Sequence, residues 1–159
     1  MAIVANAGPL IALGRIGQLG LLPILYEKVI VPPAVYREIT REANLPGAQE
    51  LRQATWFHTS GVGDQSAVHR LLFRLDLGES EAIVLAQEMQ TTLLMDERRG
   101  RRIAEALGLN KTGTVGVLLA AKKKNKIAAV TPLLDALVSA GVRISPRLYQ
   151  EARRLAGEN

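Results

Sequence analysis

Apolar residues fall in two rhythms along this chain. Short runs of three or four recur, each stopped by a polar residue, a glycine or a proline, and longer stretches between them repeat at helical spacing. Residues 2–5 are apolar and run into Asn6 and the Gly8-Pro9 pair, which predicts a buried strand ending in a turn. Residues 10–25 are apolar at mixed helical spacing, broken by Gly14, Gly17, Gly20 and Pro23, and read as two short helices. Residues 28–31 (Lys-Val-Ile-Val) are β-branched and stop at Pro32-Pro33, so a strand hands over to a helix at 34–41. Residues 44–47 read as a loop, 56–59 as a strand and 60–64 as a loop. Residues 65–75 and 78–89 read as helices. Residues 92–95 are a strand ending at Asp96, and 97–107 a helix closed by Gly108. A last short strand at 109–111 precedes a helix at 115–124. Thr131-Pro132 and Ser145-Pro146 carry cap-plus-first-turn signals for two terminal helices separated by Gly141. Strands alternating with helices predict an α/β fold: a three-layer α/β/α sandwich around a mostly parallel sheet. No repeat, low-complexity linker or composition break divides residues 1–159, so a single domain is expected.

Composition narrows the chemistry. The chain has 159 residues, 48% of them hydrophobic, and no cysteine. That excludes disulfides, thiolate metal sites and cysteine nucleophiles. No apolar run approaches the ~20 residues of a membrane span, and no basic stretch precedes the first apolar residues. A cytoplasmic protein without a membrane association is the expectation. Phosphate-loop, dinucleotide and nucleophile-elbow motifs are missing: Gly61-Val62-Gly63 is followed by Asp64, and Gly78-Glu79-Ser80-Glu81 by Ala82. His58 and His69 match no metal-binding spacing; one is expected at the surface and the other partly packed. Carboxylates, hydroxyls and basic groups remain, a set that suits a hard divalent cation, Mg²⁺ or Mn²⁺.

Charge is unevenly placed. Residues 97–126 hold nine basic residues against two acidic ones, net +7, while the rest carries eleven against thirteen, net −2. Arg98, Arg99, Arg101, Arg102 and Lys111 are candidates for a phosphate-binding rim; the bland alternative is a pair of solvated helix faces.

The acids stand at telling places. Ligands of parallel α/β sheets bind beyond the carboxyl ends of the strands. Asn6 ends the first strand, and Asp96 ends the strand at 92–95 unless it merely caps the next helix. Glu79 and Glu81 lie in the first turn of a helix, where the dipole favours negative charge, and residues two apart do not share a face. One of the two is therefore expected to point into a site. Glu38 follows the second strand by a turn or two of helix. Together with the basic segment these make an acidic centre with a basic rim, the arrangement that phosphodiester hydrolysis needs.

Five blocks in order resemble the PIN-domain superfamily, specifically a prokaryotic branch of small PIN-like proteins. They are Val4-Ala5-Asn6-Ala7-Gly8-Pro9-Leu10-Ile11, Val29 to Glu38, Leu77-Gly78-Glu79-Ser80-Glu81-Ala82-Ile83, Leu94-Met95-Asp96-Glu97-Arg98-Arg99-Gly100-Arg101 and Thr112-Gly113-Thr114-Val115-Gly116-Val117-Leu118. The resemblance spans roughly residues 2–156. It implies Mg²⁺- or Mn²⁺-dependent cleavage of single-stranded RNA, as in toxins of toxin–antitoxin pairs, with an antitoxin partner and a homodimer. By motif, Asn6, Glu38, Glu81 and Asp96 occupy the family's catalytic quartet. Asn6, Glu81 and Asp96 would hold the metal, with Glu79 beside them and Thr112 or Thr114 as the nearby hydroxyl. The family usually has Asp at the first position, so Asn6 removes one negative charge. A catalytically weak module that binds RNA or protein is the alternative reading, and a structure-specific DNA nuclease a third.

Overall fold

A computed structural model describes residues 1–41 and 44–159. The sheet has five parallel strands: β1 (Ala2–Ala5), β2 (Lys28–Val31), β3 (Phe57–Thr59), β4 (Thr92–Leu94) and β5 (Lys111–Thr112). Their order is β3-β2-β1-β4-β5, and every neighbouring pair is parallel. β1 lies in the middle, which explains its unbroken apolar sequence: Ile3, Val4 and Ala5 have no exposed surface, because helices cover both faces.

Alternation along the strands divides the core in two. Ile3, Ala5, Val29, Val31 and Leu94 face one layer; Val4, Ile30, Leu93 and Met95 face the other. The first layer contains α1 (Ala7–Arg15), α2 (Leu21–Leu25), α3 (Pro33–Thr40), α8 (Thr114–Lys123), α9 (Thr131–Ser139) and α10 (Pro146–Leu155). The second is built on α6 (Leu77–Met89) and α7 (Arg98–Ala106). The expected α/β/α sandwich is the observed architecture. No helix among the described residues is long and apolar enough to cross a membrane.

Some local expectations change. α4 (Ala48–Gln53) was not foreseen; it buries only Ala48 and Leu51, too few positions to show a period. It starts at Gly47, whose φ of 80° is left-handed, and a Cβ on Gly14 of α1 would stand 2.6 Å from the Pro46 carbonyl oxygen. Both glycines are therefore required for α1 to meet this loop. α5 (Gln65–Leu71) ends four residues before the expected 75. His58 and His69 are both exposed, so neither is packed.

Three helices begin without a cap of their own and borrow a distant carboxylate. Ser145 caps α10 as expected, through the Leu148 N–H at 3.1 Å. Thr131 does not cap α9; it is already helical, and Val130 at the cap position has no side-chain acceptor. Glu158 fills the gap. Its carboxylate accepts from Val130 N–H (2.8 Å), Thr131 N–H (3.0 Å), Thr131 Oγ1 (2.7 Å) and Lys122 Nζ (2.7 Å). Led by the Lys122 ammonium, these donors hold its pKa down at about 2. A depressed carboxylate contributes stability above its unfolded value, near 4.5, and loses it as pH falls towards 2. Glu158→Gln is expected to lower the thermal midpoint by a few degrees at neutral pH. It should also flatten the acid limb of a melting-temperature profile. A variant with an unchanged acid limb would show that Glu158 adds nothing to folding.

Candidate active site

The strand order reverses between β1 and β4, since the chain runs outward from β1 through β2 to β3 and separately from β4 to β5. Such a switch point leaves a crevice beyond the carboxyl ends of the two strands. Asn6 follows β1, and its N–H donates to the Leu94 carbonyl at 2.9 Å. Asp96 lies just beyond β4. Both line a cavity of about 550 Å³, along with Glu97 and Thr114.

Asn6 is the unusual member. It occupies the cap position of α1, where an Asn side chain normally accepts a helix N–H, yet it makes no such bond. It is 8% exposed, and among the described residues its amide has no hydrogen-bond partner. Asn6 is not among the buried side chains left unsatisfied, so its amide opens on the cavity and is free to accept or donate to an occupant.

Asp96 does not cap the helix that follows it. Glu97 does that, accepting from Arg99 N–H (3.1 Å) and Gly100 N–H (2.6 Å). Asp96 instead reaches α8, whose cap position is Gly113, with no side chain. Its Oδ1 accepts from Thr114 N–H at 2.8 Å and its Oδ2 from Thr114 Oγ1 at 2.5 Å. The hydroxyl beside the acid is thus Thr114. Thr112 is packed against Gly116 instead. A Cβ on Gly113 would fall 2.5 Å from Asp96 Oδ1, so glycine is what lets the carboxylate approach the helix start.

Glu81 and Glu38 lie at the joint between α6 and α3. α6 starts at Leu77, so only Glu79 lies in its first turn; Glu81, a residue further on than expected, is the buried one, 8% exposed, and its Oε1 accepts from Ala34 N–H at 2.9 Å. Ala34 is the second residue of α3, whose cap position is Pro32. Glu79 turns back into a capping box with Asp76: Asp76 Oδ1 accepts from Glu79 N–H (2.8 Å), and Glu79 Oε1 from Asp76 N–H (3.0 Å). Burial, with Asp76 and Glu97 nearby, pushes Glu79 up to about 7. Burial and Asp76 also raise Glu38, whose Oε2 lies over Gly78. Asp76 is a residue that sequence reasoning missed; its signal was the Asp-x-x-Glu spacing of a capping box.

The structure does not gather the quartet: Asn6 and Asp96 share the cavity at the switch point, while Glu81 and Glu38 stand at the joint of α3 and α6 and do not line that cavity. Among the described residues no three His, Asp or Glu side chains converge tightly enough to enclose a metal by themselves. The donor set is nonetheless all oxygen, with an amide free of other duties, and this fits a hard cation that keeps part of its water shell. Asn6 and Asp96, which share the cavity, would hold it; Glu81, expected as a third ligand, does not line that cavity.

The basic segment splits. Arg98, Arg101, Arg102 and Lys111 share a smaller cavity, about 270 Å³, with Asp96 and Glu105. Arg101 Nη1 donates to the Met95 carbonyl at 2.8 Å, and Lys111 pairs with Glu105 at 3.5 Å. Arg99 turns away and donates to the Arg74 carbonyl at 3.2 Å, so it leaves the predicted rim. Lys122 to Lys124 lie at the far end of α8, about 12–15 Å along its axis from Thr114. Arg15 and Arg143, which the sequence did not single out, line the larger cavity instead.

A PIN-domain family model matches residues 2–158. The chain belongs to the PIN-domain family. Among solved structures, a PilT N-terminus domain protein from the archaeon Sulfolobus solfataricus is similar to this PIN domain at a TM-score of 0.50 and 19% identity, over 76% of this chain and 93% of that one. That likeness concerns the fold. No curated protein matches the chain. The family's fold is of the nuclease type, and the acid-lined crevice at its switch point stands where such chemistry would be done.

Proposed function

We propose that this PIN domain is an endoribonuclease that cuts single-stranded RNA with the help of Mg²⁺ or Mn²⁺, and that it acts as the toxin of a toxin–antitoxin pair, as a homodimer held in check by a partner protein. The observation that carries the nuclease reading is the unpartnered Asn6 amide sharing a cavity with Asp96 at the switch point. The basic residues of α7 begin immediately after Asp96 and supply contacts for the RNA backbone. A bound divalent ion supplies charge neutralisation and an acidified water. Thr114 holds the Asp96 carboxylate in one orientation through both oxygens, each of which keeps a lone pair for a ligand. Asp96 and Glu97 concentrate negative charge at one end of the cavity, where a divalent ion would be held. Incubating the protein with mixed single-stranded RNA and Mn²⁺ tests the reading; no cleavage products would overturn it.

The neutral side chain of Asn6 favours a second reading, a PIN domain that binds RNA with little turnover. Asn6→Asp separates the two. Restoring a charge should tighten Mn²⁺ binding about tenfold or more by calorimetry. If Asn6 only attenuates a working site, hydrolysis rises with it. Tighter metal binding with no hydrolysis in either protein would establish the binding module.

A further inference from the structure

The larger cavity continues well past the acids. Beyond Asn6 and Asp96 its walls are Ile11 of α1, Val115 of α8, Ile144 between α9 and α10, and Leu148 of α10, with the fully buried Leu137 of α9 behind them. Arg15 and Arg143 stand on this aliphatic trough, and among the described residues neither guanidinium has a hydrogen-bond or ion-pair partner. At about 550 Å³ it has the size of a small-molecule site. Leu148 is 44% exposed, which leaves apolar surface open to an occupant.

We propose that this trough is a nucleobase subsite: one unpaired nucleotide of the RNA swings out of the strand and lies between the aliphatic walls and the two arginines, beside the phosphodiester at Asn6 and Asp96. The occupant follows from the lining. A base is a flat apolar body that stacks on aliphatic walls and guanidinium planes, and its own phosphate answers the positive charge. An apolar partner helix would answer the walls but leave two guanidinium groups covered and unpaired, at a cost. The trough is also continuous with the acids, whereas the α7 rim lies in the other cavity that Asp96 borders. Asp96 therefore stands between a backbone-holding side and a base-holding side. A base held in a duplex cannot enter such a slot, so the subsite makes single-strandedness a requirement of the geometry. The inference rests on the ribonuclease reading and deepens it.

The test uses Asp96→Asn protein, so that binding is read without cleavage, and a short single-stranded RNA carrying one photoreactive 4-thiouridine. Cross-linked peptides are expected from α1 and from the segment joining α9 to α10. Leu148→Glu and, independently, Arg143→Ala should weaken binding by about tenfold each while duplex RNA of the same sequence binds poorly throughout. Cross-links confined to α7, with both variants binding like the parent while wild-type protein still cleaves RNA, would overturn the subsite and leave the nuclease reading standing. If Leu148→Glu instead turned a dimer into a monomer without changing RNA affinity, the trough would be a face for a second copy and the subsite would be wrong. Absence of both binding and cleavage by the wild type would sink the two readings together.

Discussion

Asp96→Asn should lose at least about a hundredfold in RNA cleavage with Mn²⁺ present, with little change in thermal midpoint. The asparagine is nearly the same shape. Its oxygen still accepts the Thr114 N–H, and its amide can donate to Thr114 Oγ1 where the carboxylate had accepted from it. The start of α8 therefore keeps its partner, and what disappears is the charge. Cleavage rate and melting temperature are measured on the same preparation. Retained cleavage would remove Asp96 from the reaction, and with it the reading of the crevice as an active site.

Glu81 needs two substitutions because it serves two purposes. Glu81→Ala strips the Ala34 N–H of its acceptor in a partly buried position, and an unmet donor there costs about 1–3 kcal/mol. Glu81→Gln keeps an acceptor oxygen in place and removes only the charge. If Glu81 helps hold the metal, the glutamine variant melts near the wild type and is inactive. If Glu81 is a helix cap and nothing more, the same variant is stable and fully active. Melting curves and Mn²⁺ titrations of both variants distinguish the cases.

How far the sequence revealed all this depended on distance along the chain. Strands and most helices were legible because burial writes a local period: Lys28–Val31 is a lysine and three β-branched residues before two prolines, and the strand has those bounds. Asn6 and Asp96 were legible for the same reason, as polar residues directly after apolar runs. The partners of the acids were not. Nothing local says that Glu81 bonds Ala34, 47 residues away, or that Asp96 bonds Thr114 across 18. Neighbouring residues misled in the opposite direction. Arg98 and Arg99 are indistinguishable in a charge count, yet on a helix they point about 100° apart, and only Arg98 faces the Asp96 cavity. Arg15 was overlooked because it stands alone in its stretch, and Arg143 because the α9–α10 connection brings it back over the first helix.

The borrowed caps have a consequence for how the protein comes apart. α3, α8 and α9 each need a carboxylate supplied from another part of the chain before their first turn is satisfied: Glu81, Asp96 and Glu158. As isolated segments they lack that partner, so helix formation and tertiary assembly must proceed as one event. Amide protons at those three helix starts are thereby tied to openings that span several elements and not to simple end-fraying. Two of the three carboxylates are also candidate metal ligands. Strain at the candidate site thus passes directly into the first turns of α3 and α8, making these candidate ligands part of the molecule's cooperativity.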